Sequence, residues 1–286
     1  MKKRDDRQAG FTLVELIVVV AILALLAAMV LPRFDTLLHN AGHVAGASSM
    51  ADANQLIQAW YTSNRLYPDG WDTRLDSSGT LLPASTGTTL GLPTELVGST
   101  GRLTTTTLTS GDVLGFINVG ITTLYSYDSA PLSEVSRPDD RFNTANVMTA
   151  GGTAPTVAII DPSQAVAAGT GTTNKIIDHI YRQNLVVGGT PGTVPTGVRL
   201  VAFGLGAHNS MVAGNNAANL ASGLMVEAPV DGSFNSAIMY NRLIVVFAVT
   251  PSSTTGAASS VVFAGVFGAD GDLVTDDAAA MNSAIQ

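Results

Sequence analysis

The chain has 286 residues, a formal net charge of −8, 13% charged residues and no cysteine. The absence of cysteine excludes disulfides, thiolate zinc sites and a cysteine nucleophile, and the length suffices for one or two compact units with a substantial core. The acidic balance argues against nucleic-acid binding, which needs lysine or arginine to displace counterions from phosphates: beyond Gly10, ten basic residues face twenty acidic ones.

Residues 1–10 hold four of the fourteen basic residues, Lys2, Lys3, Arg4 and Arg7, against Asp5 and Asp6. Sixteen consecutive apolar residues follow, Leu16–Leu31. With Phe11–Glu15 the segment reaches twenty-one residues, a helix of about 31 Å and long enough for a bilayer core. The basic cluster precedes it and Arg33 alone lies just after, so the charge bias places the N-terminus in the cytoplasm and everything beyond Pro32 outside the inner membrane. A secretory signal peptide would end in an A-x-A-like site, and none occurs between Ala24 and Pro32. A passive anchor leaves Glu15 unexplained, because an ionisable group in the span costs a few kcal/mol unless it finds a partner.

The string Gly10-Phe11-Thr12-Leu13-Val14-Glu15-Leu16, followed by the apolar run and Pro32, resembles the prepilin signature of type IV pilins and type II secretion pseudopilins. The resemblance implies that a prepilin peptidase cuts between Gly10 and Phe11 on the cytoplasmic side and methylates Phe11. It makes Glu15 the fifth residue of the mature chain and Pro32 the helix-kinking proline. The chemistry agrees with this. Cleavage creates a cationic amine at Phe11, the Glu15 carboxylate of a neighbouring subunit neutralises it, and the pairing fixes register. Moving Leu16–Leu31 from lipid to a helical bundle exchanges one apolar setting for another, so packing and the ion pair decide position.

Past Pro32, Phe34, Leu37, Leu38, Ala41, Val44, Ala45, Leu56, Ile57 and Trp60 recur at helical spacing, an amphipathic stripe. A bend at Pro32 and an end near Asn64, before the turn Tyr67-Pro68-Asp69-Gly70, are expected. His39 and His43 share a helix face, but the zincin pattern needs glutamate where Asn40 stands, so a solvated or packed face is the reading.

Residues 65–286 read as a β-rich head, giving an α+β fold: a long N-terminal helix, half membrane-spanning and half amphipathic, packed on that head. The division is 1–10 leader, 11–64 helix and 65–286 head, with a sub-boundary near Ala150. Predicted strands are Asp112–Val119, Thr156–Ile160, Leu185–Val187, Arg199–Phe203, Leu243–Thr250 and Ser260–Phe267. A helix is predicted at Asn174–Gln183, and Ser85–Thr89, Gly98–Thr107, Ala167–Thr173 and Ser252–Gly256 are predicted connections.

The search for catalysis is negative. Gly169–Lys175 lacks the Gly-Lys-Ser/Thr ending of a phosphate loop, no Gly-x-Ser-x-Gly elbow occurs, and His179 and His208 read as surface histidines, so no enzyme is expected. Asp270, Asp272, Asp276 and Asp277 surround Gly271 with oxygen ligands at short spacing, a candidate Ca²⁺ site. The EF-hand template fails there, since its first and third positions would be Val266 and Gly268. The other reading is an acidic turn before a helix at Asp277–Ile285. The resemblance adds that many pilins close this region with a disulfide and that major pseudopilins often use calcium.

The expectation is a structural prepilin of a type IV pilus-like filament, with a type II secretion pseudopilin, a tip-located adhesin and a tethered enzyme as successive alternatives. Implied by resemblance are a homopolymer or other pilin-like subunits, a prepilin peptidase, an assembly ATPase and an inner-membrane platform protein. The precursor would sit in the inner membrane and the filament outside the cell or in the periplasm.

Overall fold

The computed structural model describes residues 13–86, 91–97, 101–128, 141–162, 176–177, 180, 194–212, 224–232 and 239–273, with backbone alone at 29–40 and 43. Helix α1 is Leu13–Asn64. The chain divides into two compact units, Met1–Ala41 and Gly42–Gln286. The first is helical wherever it is described.

The second unit begins with the end of α1. Its buried stripe is Met50, Ala53 and Ile57, with Leu56 and Trp60 packed alongside. The stripe predicted further upstream differs: Ala41, Val44 and Ala45 are exposed. Small residues there serve another purpose, since a Cβ on Gly232 would lie 3.0 Å from the Gly42 carbonyl oxygen and 3.3 Å from the Ala45 Cβ. Bulkier side chains on that face would push the loop off the helix. The helix stops at Asn64, as expected, because Arg65 turns left-handed at φ 61°. The Arg65 amide still donates to the Tyr61 carbonyl at 2.8 Å, an αL-type cap.

Eight strands form one sheet: β1 Trp71–Asp76, β2 Leu103–Thr107, β3 Thr123–Tyr127, β4 Thr144–Val147, β5 Thr156–Ile160, β6 Arg199–Gly204, β7 Ile244–Thr250 and β8 Ser260–Phe267. The order is β2-β5-β6-β1-β3-β4, with β7 on the other edge of β6 and β8 beyond it. One edge of β6 is thus shared, by β5 at Val201 and β1 at Gly204, while β7 covers all of the opposite edge. β1 and β3 run parallel, so the chain between them must cross over, and helix α2, Ser110–Asn118, lies in that connection. Ala150 sits in the turn between β4 and β5, and β2 pairs with β5 across that point in the sequence.

Strands β6 and β7 are buried on both faces and read as unbroken apolar runs for that reason. Val201, Phe203, Val245, Phe247 and Val249 face a layer holding Met50 and Ile57 of α1 and Phe116 of α2. Leu200, Ala202, Ile244, Val246 and Ala248 face the other layer, with Leu92, Phe142, Ile176 and Tyr240. Aromatic rings knit the first layer: Phe247 lies edge-on to Trp71 at 5.6 Å, and Phe116 edge-on to Phe203 at 5.6 Å.

Two predicted elements are corrected. Asp112–Val119, expected as a strand, lies largely in α2. Thr109 accepts from the Asp112 amide at 3.2 Å while the Asp112 carboxylate accepts from the Thr109 amide at 2.9 Å, a capping box that starts a helix whatever the apolar content after it. The second half of the predicted connection Gly98–Thr107 proves to be strand β2, Leu103–Thr107, because β-branched threonines suit a pleated surface. The predicted Leu185–Val187 strand lies outside the described residues, as does most of the Asn174–Gln183 helix, of which Ile176, Ile177 and Ile180 are helical and buried.

Candidate functional site

Side chains in the first unit are described from Leu13 to Ala28 and at Ala41, and all of them are exposed. Val18 is 50% exposed and Leu13 74%. Because Leu16, Ile17, Val18, Val19 and Val20 go more than once round the helix, the apolar surface has no polar back, the pattern of a helix buried on all sides. Leaving a large aliphatic side chain in water forfeits about 1.5–3 kcal/mol, and eleven of them, from Leu13 to Leu26, are exposed here. This segment therefore requires an apolar environment. Glu15 stands in the first turn of α1 as described.

Among the described residues no helix is long and apolar enough to cross a membrane; the described side chains of the apolar run stop at Ala28, short of the roughly 20 residues a span needs. Gly10 and Phe11 lie outside the described residues, and of Pro32, His39 and His43 the backbone alone is described.

In the head, Asp270 and Asp272 are brought together and partnered by arginine. Arg102 Nη1 donates to the Asp270 carbonyl at 2.8 Å and to Asp272 Oδ1 at 3.2 Å, and the Asp272 amide donates to Asp270 Oδ1 at 2.9 Å. Burial, then the neighbouring Asp272 and Asp231 charges, push the Asp270 carboxyl up to about 6. Asp276 and Asp277 lie outside the described residues. Among those described, no group of three or more His, Cys, Asp or Glu stands ready to hold a metal. His208 stacks on Tyr125 with centroids 4.1 Å apart and meets Asn143 Oδ1 through Nε2 at 3.1 Å.

A buried polar cluster escaped the sequence reading. Asp72, Arg74 and Tyr240 are fully buried and Arg242 nearly so. Tyr240 donates its hydroxyl to Asp72 Oδ2 at 2.6 Å, the Arg74 guanidinium lies 5.1 Å above the Tyr240 ring, and Arg74 Nη2 donates to the Arg242 carbonyl at 3.0 Å. Asp72 Oδ1 and Arg74 Nε and Nη1 meet no partner among the described residues. Asp72 lies in β1 and Tyr240 in the segment leading into β7, 168 residues apart, so no local spacing marks them. The one signal available was Asp72 and Arg74, two apart and so on one face of an apolar-flanked strand.

Burial pushes the Asp72 carboxyl up to about 7, with the Tyr240 hydrogen bond and the Arg242 and Arg74 charges opposing it. An unfolded aspartate titrates near 3.9. Between those values the folded state holds a proton that the unfolded state has lost, so this group's contribution to stability is greatest below about pH 4 and falls as pH rises towards 7. The full span is on the order of 4 kcal/mol. Thermal melts of the detergent-solubilised chain should lose this slope in Asp72→Asn, and an unchanged slope in that variant contradicts the assignment.

Residues 5–31 match the family described as the prokaryotic N-terminal methylation motif, the prepilin signature of type IV pilins and pseudopilins. No curated protein and no solved structure matches the chain.

Proposed function

We propose that the chain is a prepilin, cut between Gly10 and Phe11, methylated on Phe11 and built into a type IV pilus-like filament through its N-terminal helix. The observation that carries this is an apolar helix exposed on all sides, with one carboxylate in its first turn, inside the segment that matches the methylation motif. Before assembly the run through Leu31 sits in the inner membrane with residues 1–10 cytoplasmic; afterwards it lies among the same helices of other subunits. Both settings supply the apolar cover that the exposed side chains demand, and the exchange is nearly neutral in hydrophobic free energy. Pro32 provides the bend, and a prepilin peptidase, an assembly ATPase and a platform protein act on the chain. The head makes outer contacts and has no catalytic role, in keeping with a polar cluster that is closed to solvent.

Shearing cells and taking intact masses of released and retained fractions tests this. A chain starting at methylated Phe11 in the released fraction is the expected result, and the same mature chain confined to the cells favours a periplasmic pseudopilin or a scarce minor subunit instead. Gly10→Leu should leave the precursor uncut, because the peptidase must approach the backbone closely where glycine has no side chain, and filaments should be absent. Normal filaments from Gly10→Leu refute the processing site.

A further inference from the structure

We propose that the outward edge of strand β4 takes up strand β2 of a second copy, so that neighbouring heads join edge to edge. The inference rests on the filament reading and adds to it a specific contact between heads.

β2 and β4 stand at the two ends of the strand order. On β4, the Met148 amide donates to the Thr122 carbonyl, and Asn146 and Thr144 oppose Leu124 and Ser126 in the same phase. Antiparallel bonding alternates along a strand, so Ala145 and Val147 turn their N–H and C=O away from β3. On β2, the Asp161 amide donates to the Arg102 carbonyl and the Leu108 amide to the Pro155 carbonyl. By the same alternation Thr105 and Thr107 point outward, and Leu103, which shares their phase, gives its amide to the Leu96 carbonyl on the outer side. Among the described residues no backbone hydrogen bond takes up these outward groups of Ala145, Val147, Thr105 and Thr107.

Sheet edges invite pairing unless guarded by charge, proline, a bulge or cover. The third edge, β8, is guarded: it bulges opposite Val246 and Phe247, and its Phe263 amide donates to the Tyr67 hydroxyl at 3.2 Å. β2 is LTTTT and β4 is TANV, without charge or proline. Beside β4 lies a groove of about 430 Å³ lined by Ala145, Asn146, Val147, Met148, Thr153 and Pro155, and Val147 is 66% exposed.

Charge restricts where two heads can meet. Between Gly42 and Gln286 nine basic residues face eighteen acidic ones, so heads repel one another in general. Two uncharged strands let them approach at least cost. Joining β4 to the β2 of another copy is heterologous and leaves one free edge at each end, so it repeats along an open assembly, as a filament requires.

The chain has no cysteine, so an engineered pair gives an unambiguous report. Ala145→Cys or Val147→Cys, each combined with Thr105→Cys or Thr107→Cys in the full-length chain, should give a ladder of disulfide-linked multimers when sheared filaments are oxidised. Each single variant should stay monomeric. Monomers from all the pairs, in filaments of normal yield, overturn the edge contact alone, and dimers from a lone β4 cysteine overturn it in favour of β4–β4 pairing. Val147→Lys should cut filament yield by more than about tenfold, by guarding the edge, without lowering the melting temperature. Wild-type yield from it also overturns the proposal. If the unmodified chain makes no filament, the filament reading fails and the edge contact falls with it.

Discussion

Glu15→Ala is expected to be processed and methylated normally yet to yield more than about tenfold fewer filaments, since removing one partner of a buried ion pair costs about 3–5 kcal/mol. The loss arises at assembly. On the proposed reading, the amine freed at Phe11 by cleavage lies at the membrane edge before assembly, where water solvates it. In the proposed filament the same amine would enter an apolar bundle, where the carboxylate of a neighbour's Glu15 would compensate it. A subunit lacking that carboxylate leaves a neighbour's amine uncompensated, so a pure Glu15→Ala population fails while a minority of variant subunits diluted into wild type is tolerated. Glu15→Gln separates charge from hydrogen bonding: it keeps an acceptor, so yield near that of Glu15→Ala identifies the charge as the determinant. Intact mass of the retained chain and filament yield are read in parallel. Wild-type yield from Glu15→Ala means that the ion pair does not set register.

This part of the molecule was legible in the sequence because its chemistry is local. The match to the methylation motif falls within residues 5–31, and helix α1 carries Glu15 and the run Leu16–Leu31. The same holds for strands whose apolar residues are contiguous: β5 and β8 have the predicted bounds, and β6 and β7 differ from them by one residue at an end. What failed was set by partners far along the chain. Val113, Phe116 and Ile117 read equally well as strand or helix, and the Thr109–Asp112 capping box decided between them. Asp112 then becomes a hub, fully buried, accepting from Ser259 Oγ at 2.7 Å and paired with Arg199. Polar strands β1 and β4 carried no apolar alternation, so their pairing to β3 fixes them as strands. The Asp72 cluster was out of reach for the same reason.

Gly206→Ala is expected to destabilise the head by about 3 kcal/mol or more, at the upper end of what overpacking a core costs. A Cβ at this position would lie 2.0 Å from Asp72 Oδ2 and 2.4 Å from its Cγ. The carboxylate has nowhere to retreat to, because Oδ2 is held by the Tyr240 hydroxyl, and a Cβ on Gly204 would lie 1.9 Å from that same hydroxyl oxygen. The two glycines thus form the floor under the Asp72–Tyr240 hydrogen bond, and a methyl group at either must break it. Breaking it leaves a buried hydroxyl and a buried carboxyl without partners, which costs about 1–3 kcal/mol for each polar group. The methyl group and the carboxylate compete for one space, so the double variant separates crowding from general fragility. Gly206→Ala should cost at least about 2 kcal/mol less in an Asp72→Ala background than in wild type, a coupling of the size found between residues in contact. Denaturant unfolding of the four chains of this cycle in detergent measures it. Additive losses would mean that Gly206 is required for its backbone and not for the room it leaves beside Asp72.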